Sequence, residues 1–157
     1  GMAERRDKIN YYLDIAEQVA ERSTCLRRAY GVVIVAHDEI VSTGYNGAPR
    51  GRQNCTDRNY CIRELLAIPH GERYELCRSV HAEANAIISA SRERMLESTL
   101  YLVGKEVGDG KSYVSQGEPC DMCKRLIINA GIAQVIVRDS ATAFHVLSVI
   151  DLIKENR

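Results

Sequence analysis

Apolar positions recur at helical spacing in the first part of the chain. Between positions 6 and 21 every third or fourth residue is apolar, which predicts an amphipathic helix with Asp7 as its N-cap. Two runs rich in β-branched residues follow at 31–36 and 40–45, separated by three polar residues. This pattern predicts two antiparallel strands joined as a hairpin.

Helical and strand patterns alternate through the second half of the chain. A second helix is predicted to begin with Ser79 as its N-cap and to include Arg92. A third, at 120–130, follows Pro119 and ends before Gly131. The other predicted elements are strands at 99–103 and 134–138, a short extra strand near Tyr113 and a closing helix at 143–154. This order predicts an α/β fold with a mixed sheet covered by helices.

The composition indicates one globular domain over residues 1–157, with Gly1 before Met2 interpreted as an expression remnant. The chain is 45% hydrophobic, and its 21 basic side chains balance 21 acidic ones. A domain without net charge lacks the basic surface that long nucleic acids require, so we expect no such partner. No apolar run approaches the roughly 20 residues of a membrane span, and the sequence shows no signal-peptide core. We therefore expect no membrane association and a cytoplasmic location.

Six cysteines are the unusual feature of this composition. In a reducing compartment such thiols are more often metal ligands or catalytic groups than members of disulfides. Three of them lie in segment 46–78, which contains glycine and proline and little periodicity. A loop of this length inside a compact domain implies a function or a stabilising metal.

Two short motifs place metal ligands at the starts of predicted helices. His81 and Glu83 form the first, and Cys120 and Cys123 follow Pro119 in the second. One imidazole and two thiolates leave the fourth zinc position for water, and the positive end of a helix favours thiolates. Such a site generates hydroxide near neutral pH. Glu83 leaves the turn on a different side from His81, so it is free to move protons.

Either motif alone is a weak signal, because a Cys-x-x-Cys pair also occurs in redox sites and in structural zinc sites. The combination of His-x-Glu with Pro-Cys-x-x-Cys is the signature of zinc-dependent nucleobase deaminases. A wider similarity is carried by four segments, at 22–25, 43–47, 80–87 and 119–132. Over nearly its whole length the chain resembles the deoxycytidylate (dCMP) deaminases of the cytidine deaminase superfamily.

The resemblance implies a cytidine-deaminase-like fold, a three-layer α/β/α sandwich around a mixed sheet of about five strands. It also implies hydrolytic deamination of dCMP to dUMP with release of ammonia, in pyrimidine deoxynucleotide metabolism. Zinc would be held by His81, Cys120 and Cys123. Glu83 would take a proton from the attacking water, protonate the ring nitrogen N3 and help ammonia to leave.

The same resemblance implies contacts to the nucleotide. Asn46 matches a residue that holds the substrate near its sugar, and Arg22 matches one near the substrate phosphate. Arg92 matches a position associated with nucleotide binding and effector response. Without the resemblance, Asn46 fits an ordinary Asn-Gly turn and the arginines fit solvated surface charges. Arg50 and Arg52 offer further cations for a phosphate or an effector triphosphate, with the same alternative.

Four cysteines lie outside these motifs: Cys25, Cys55, Cys61 and Cys77. Their spacing matches no standard zinc knuckle, but some members of the family carry a second, structural zinc, and Cys25 matches one of its ligands. The resemblance therefore implies a structural zinc on these four residues, with His70 as a substitute ligand. The alternative is four ordinary thiols, some of them buried. His37 and His145 are interpreted as surface or structural residues.

Residues 104–118 form an insertion before Pro119 where the family normally has almost none. It enters beside the zinc ligands and would alter the pocket rim or a contact between subunits. The resemblance further implies a homo-oligomer, such as a hexamer, and regulation by dCTP and dTTP, with Mg²⁺ accompanying a nucleotide effector.

Two alternative functions stay open at this point. The first is a related zinc deaminase for another cytosine nucleoside, nucleotide or modified base. The second is a non-catalytic zinc-binding module used for assembly. Glu83 argues against the module, because a structural zinc ion has no use for a proton carrier beside its ligand.

Overall fold

The computed structural model describes residues 4–58, 60–68, 80–108, 110, 112–114 and 117–155. Their strands are β1 (Arg28–Ala36), β2 (Glu39–Tyr45), β3 (Thr99–Glu106), β4 (Gln134–Arg138) and β5 (Phe144–Ser148). Their helices are α1 (Lys8–Ala20), α2 (Cys55–Arg58), α3 (Ile62–Leu65), α4 (Ala82–Ile88), α5 (Arg92–Met95), α6 (Asp121–Ala130) and α7 (Val149–Lys154). None of these described helices has the length and apolar character of a membrane span.

The strands form one mixed sheet in the order β2-β1-β3-β4-β5. β1 pairs with β2 in the expected hairpin and with β3 on its other side, and both pairings are antiparallel. β3 and β4 run parallel, and β5 returns antiparallel along β4. This mixed five-stranded sheet confirms the predicted fold class.

Helices cover both faces of the sheet because successive strand residues point to opposite faces. On one face, Leu13 of α1 belongs to a core with Val33 and other residues of β1, β3 and β4. On the other face, Ala86 of α4 and Ile127 of α6 share a core with Val32 and alternate residues of the same strands. The result is the expected three-layer α/β/α arrangement, with both predicted metal-binding motifs on the α4 and α6 side.

Two glycines let helices approach the sheet from opposite sides. A Cβ on Gly31 of β1 would meet the backbone of α1 and lie 2.5 Å from the Ala20 nitrogen. A Cβ on Gly44 of β2 would meet the backbone of α4 and lie 2.5 Å from the Ala86 nitrogen. Real Cβ atoms stay more than 3.0 Å from such atoms. Both positions therefore require glycine at the present distances between helix and sheet.

A buried polar cluster fixes α1 to the sheet. Arg138 at the end of β4 is 2% exposed, and its guanidinium donates to Asp14 at 2.9 Å and to Glu17 at 3.2 Å. The hydroxyl of Tyr113 also donates to Glu17, at 2.5 Å. Burial opposes the ionisation of Glu17, but the hydrogen bond from Tyr113 and the neighbouring cations outweigh it and hold the pKa of Glu17 below its ordinary value.

The predicted closing helix at 143–154 is wrong in its first half. Residues 144–148 form β5, and α7 begins only at Val149. These residues pair with the whole length of β4, which would otherwise have an unpaired edge. Long-range pairing therefore overrides the local helical pattern. His145 consequently lies in a strand, where its Nδ1 is 2.9 Å from the Asp139 carboxylate.

The predicted helix from Ser79 through Arg92 is divided in two. His81 takes the N-cap position that we predicted for Ser79, and α4 ends at Ile88. Ser79 itself lies outside the described residues. Ser91 caps the separate helix α5, because its Oγ accepts a backbone N–H at 3.3 Å. A serine that bonds ahead in the chain competes with continuation of the preceding helix, so Arg92 is not on α4.

Two irregular segments contain more order than the sequence predicts. Segment 46–78 includes α2 and α3, although its residues 69–78 lie outside the described part of the chain. β3 extends through Glu106, so the first residues of the 104–118 insertion belong to a strand. The predicted extra strand near Tyr113 is a single bridge to Lys105.

Candidate active site

His81, Cys120 and Cys123 meet where two helices begin. His81 is the N-cap of α4 and Cys120 the N-cap of α6, and these helices pack side by side. Nδ1 of His81 is 3.5 Å from Sγ of Cys120 and 3.4 Å from Sγ of Cys123. Within the described ranges, this is the one group of three or more metal-ligating side chains whose donor atoms all lie within 4.8 Å.

These separations suit a tetrahedral zinc ion. Zinc lies about 2.0–2.1 Å from an imidazole nitrogen and about 2.3 Å from a thiolate sulfur, so two such ligands on a tetrahedron stand about 3.5 Å apart. The nitrogen to sulfur distances of 3.4 and 3.5 Å agree with this geometry. Three ligands leave the fourth position for water, which is the arrangement of a catalytic zinc site.

The two thiols of the cluster differ in acidity because they share one proton. A hydrogen bond from the Cys123 thiol, supported by His81 and opposed by burial, lowers the pKa of Cys120 to about 4. The same hydrogen bond, together with burial, raises the pKa of Cys123. The bond to Cys120 raises the pKa of His81, although burial acts in the opposite direction. The pocket therefore favours a thiolate at Cys120, the form that binds a metal cation.

Glu83 lies in the first turn of α4 and is 6% exposed. Burial raises the pKa of its carboxyl group, since the charged form loses hydration there. A backbone hydrogen bond and the nearby His81 act in the opposite direction. A carboxyl group with a raised pKa is suited to accept and release protons near neutral pH.

Asn46 directly follows the C-terminal end of β2, where the chain is bonded to the residue before His81. Its Oδ1 accepts from the Tyr30 nitrogen at 2.9 Å, and its Nδ2 donates to the Arg28 carbonyl at 2.8 Å. Gly47 and Val80 exchange two backbone hydrogen bonds of 3.1 and 2.6 Å. The segment around Asn46 is thereby tied to the first zinc motif, while the Asn46 side chain is bonded to β1.

The two predicted substrate arginines lie at different places. Arg22 is exposed in the turn that follows α1. Nε of Arg92 donates to the carbonyl of Asn129 at 2.8 Å, near the C-terminal end of α6. The rise of an α-helix places this end about 13 Å from Cys120. The structure therefore does not bring Arg92 to the cysteine cluster.

The second predicted cysteine set is described only in part. Cys25, Cys55 and Cys61 are described, whereas Cys77 and the substitute ligand His70 lie outside the described residues. Cys55 and Cys61 are buried, and none of the three described residues forms a disulfide. The Thr56 nitrogen donates to the Thr24 carbonyl at 3.2 Å, so residues adjacent to Cys25 and Cys55 are bonded to each other.

Two residues beside the cluster carry little signal in the sequence. Arg63 of α3 is 4% exposed, and its charge opposes the rise in the pKa of His81, so a buried cation lies near the site. Asn85 of α4 donates through Nδ2 to the Tyr45 carbonyl at 2.8 Å. Asn85 lies within segment 80–87, which carries part of the family resemblance, and one helical turn after His81, but neither pattern assigns it a role. Arg63 lies in a segment without periodicity.

Comparison with known proteins places this site in a family. The family model of the cytidine and deoxycytidylate deaminase zinc-binding region matches residues 6–139. The chain is 37% identical to the deoxycytidylate deaminase of Mycobacterium phage D29, over 84% of this chain and 94% of that protein. It is 34% identical to the deoxycytidylate deaminase of Schizosaccharomyces pombe, over 83% of this chain but only 37% of the yeast protein.

A solved structure has the same fold. The dCMP deaminase from the cyanophage S-TIM5, in apo form, superposes with a TM-score of 0.61 at 23% identity, over 96% of this chain and 93% of that one. In complex with dCMP and dUMP, it superposes with a TM-score of 0.59 at 24% identity, over 87% of this chain and 85% of that one. Fold, ligand geometry and sequence agree, and the chain belongs to the cytidine and deoxycytidylate deaminase zinc-binding family.

Proposed function

We propose that the chain catalyses the zinc-dependent hydrolytic deamination of dCMP to dUMP, with release of ammonia. The observation that supports this most directly is the convergence of His81, Cys120 and Cys123 in a cluster beside the buried Glu83. The deoxycytidylate deaminases among its relatives favour dCMP as the substrate. The shared fold with a dCMP deaminase solved with dCMP and dUMP supports the same choice.

The protein's own contribution to the chemistry centres on Glu83. His81, Cys120 and Cys123 would hold a zinc ion, which would supply a water nucleophile that is acidic near neutral pH. The Glu83 carboxylate accepts a proton from this water and delivers it to N3 of the pyrimidine, which makes C4 electrophilic. After hydroxide adds to C4, the same carboxyl group carries the remaining hydroxyl proton to the amino group. The bond from C4 to nitrogen then breaks, and ammonia leaves with dUMP as the product.

The nucleotide would be held at the C-terminal end of β2 and by individual arginine side chains. In this proposal Asn46 contacts the sugar and Arg22 the phosphate, with Arg50 and Arg52 as further exposed cations. A chain whose charges balance has no general attraction for anions, so phosphate recognition depends on such individual side chains. Arg92, bonded at the far end of α6, suits a role away from the reacting ring, such as effector response.

A second zinc ion would have a structural role. Its proposed ligands are Cys25, Cys55, Cys61 and Cys77, with His70 as the substitute. The hydrogen bond between Thr56 and Thr24 supports this, because it already joins the loop to the segment before β1. Metal binding there would add to the free energy of folding.

Self-association and regulation complete the proposal. Apolar side chains are exposed on two adjacent helices, Met122 and Leu126 on α6 and Ile150 and Ile153 on α7. The two helices contact each other, and exposed apolar groups on adjacent helices favour burial in an interface, which supports self-association. We propose a homo-oligomer, such as a hexamer. We propose dCTP and dTTP as effectors, with Mg²⁺ accompanying them. We also propose a cytoplasmic location.

A substrate panel tests this function. Zinc-loaded protein is given dCMP, deoxycytidine, CMP and cytidine, and ammonia release is measured. We expect the highest kcat/KM with dCMP. Glu93→Gln, which changes an exposed glutamate on α5, should behave as the wild type. Equal or higher kcat/KM with deoxycytidine would contradict the nucleotide substrate, and no ammonia from any of the four compounds would contradict deamination of these cytosine substrates.

A further inference from the structure

A side chain of α4 binds this helix to the end of β2. Nδ2 of Asn85 donates to the carbonyl oxygen of Tyr45 at 2.8 Å. Tyr45 is the last residue of β2, and Asn46, the proposed sugar contact, follows it directly. The hydrogen bond therefore joins α4, whose N-cap is His81 and whose first turn contains Glu83, to the strand end that carries the proposed substrate contact.

Neighbouring contacts hold the same two elements on either side of this bond. Two backbone hydrogen bonds join Gly47, just after β2, to Val80, just before α4. The Ser42 hydroxyl of β2 donates to the Ala86 carbonyl of α4 at 2.6 Å. The backbone nitrogen of Asn85 donates to the His81 carbonyl at 3.0 Å. A displacement at Asn85 is therefore passed to His81 through a single turn of helix.

We propose that Asn85 is a positioning residue for deamination, an inference that rests on the function proposed above. Together with the Gly47–Val80 and Ser42–Ala86 hydrogen bonds, its amide fixes the separation between Asn46 and the turn that contains His81 and Glu83. This separation determines how far the pyrimidine ring lies from the groups that react with it. Reaction rates depend steeply on such distances, since a misplacement of about 1 Å can cost about 100-fold in rate.

A hydrogen bond with a merely structural role would behave differently. Its loss would lower the melting temperature slightly, because one hydrogen bond makes a small net contribution to stability. The molecules that stay folded and zinc-loaded would still turn over at the normal rate. The kcat per bound zinc ion therefore separates the two roles.

The test compares Asn85→Ala and Asn85→Gln with Asn129→Ala, which removes an exposed side chain on α6. In Asn85→Ala we expect kcat for dCMP per bound zinc to fall about 10- to 100-fold. Zinc content and affinity for dUMP should stay near wild type, and Tm should fall by no more than about 4 °C. Asn85→Gln keeps the amide donor and should recover part of kcat. Asn129→Ala should match wild type, and unchanged kcat per zinc in Asn85→Ala would overturn the inference.

Amide hydrogen exchange supplies a second readout that needs no activity. Asn85→Ala should accelerate exchange in both segments that the bond connects, 45–47 and 80–85, and Asn129→Ala in neither. Unchanged exchange in either segment of Asn85→Ala would overturn the inference. Wild-type protein that binds zinc but releases no ammonia from dCMP would contradict the proposed function, and the exchange data would then decide whether Asn85 couples the two segments.

Discussion

Gly44→Ala should impair catalysis by moving α4. A Cβ at this position would meet the Ala82 carbonyl oxygen and lie 2.5 Å from the Ala86 nitrogen, whereas ordinary contact begins at 3.4 Å. Both obstructing atoms belong to the helix backbone, so no side-chain rotation relieves the overlap. The strand and α4 must separate locally by about 1 Å, and overpacking of this kind typically costs about 1–3 kcal/mol of stability.

This displacement acts directly on the proposed catalytic groups. Ala82 lies between the proposed zinc ligand His81 and the proposed proton carrier Glu83, so a shift of its backbone moves both. A misplacement of about 1 Å can lower a reaction rate about 100-fold. We therefore expect kcat for dCMP, expressed per bound zinc ion, to fall by about two orders of magnitude in Gly44→Ala.

Gly31→Ala provides a matched control on the other face of the sheet. Its Cβ would meet the Ala16 carbonyl oxygen even more closely and lie 2.5 Å from the Ala20 nitrogen of α1. The cost in stability should be at least as large as for Gly44→Ala, but α1 carries no proposed zinc ligand or proton carrier. Because Arg22 follows α1, KM can change in this variant, so the comparison is made on kcat.

The assays are urea unfolding, zinc analysis and kcat at saturating dCMP for both variants. The expected result is that Gly31→Ala loses at least as much stability while keeping a kcat per zinc within about threefold of wild type, an effect of less than about 1 kcal/mol on the barrier. Normal kcat per zinc in Gly44→Ala, or an equal loss in both variants, would refute the argument that β2 sets the position of the catalytic turn.

Three further predictions concern proton transfer, metal content and acid stability. Glu83→Gln should abolish ammonia release but keep zinc, because an amide cannot carry the proton; retained turnover would remove Glu83 from this role. Metal analysis should find about two zinc ions per chain, falling to about one in Cys55→Ser, and a single ion in the wild type would contradict the structural site. The pKa of Glu17 is held below 4.5 in the folded state, so its contribution to stability is complete above pH 4.5 and is lost as pH falls through the folded-state pKa. Urea unfolding from about pH 7 to about pH 3 should therefore show a weaker acid dependence in Glu17→Gln than in wild type, and equal dependence would contradict this.

Features with a local physical cause could be predicted from the sequence. Asp7 caps α1 by accepting the Asn10 nitrogen at 3.0 Å, and Gly131 ends α6 with a φ of 81°. The meeting of His81 with Cys120 belongs to the same class. Both residues are the N-caps of their helices, and the fold needs only to place two helix starts side by side.

Features that depend on distant partners could not be predicted. Residues 144–148 become β5 because β4 offers a free edge, which no local pattern reveals. Arg92 lies outside α4 because the Ser91 hydroxyl accepts the Arg94 backbone N–H and caps α5 instead. Helical periodicity alone does not reveal this competing hydrogen bond. The link from Asn85 to Tyr45 spans two elements that become neighbours only when α4 packs against β2.

The described residues Tyr113 and Val114 of the 104–118 insertion lie beside β3 and face opposite sides of the sheet. Val114 is buried, and its nitrogen donates to the Gly104 carbonyl at 2.9 Å, so the chain runs beside β3 beyond the end of β4. Tyr113 packs against the α1 core and donates to Glu17. Helices α4 and α6, which carry the proposed zinc ligands, cover the face opposite to Tyr113. A Cβ on Gly104 would lie 3.2 Å from the Val114 side chain, on the face where Leu102 and Tyr30 pack with the α4 and α6 core. Val114 is therefore on the face that carries the cysteine cluster, whereas Tyr113 contacts α1. Weakening the Tyr113 contact should accordingly lower stability before it lowers kcat.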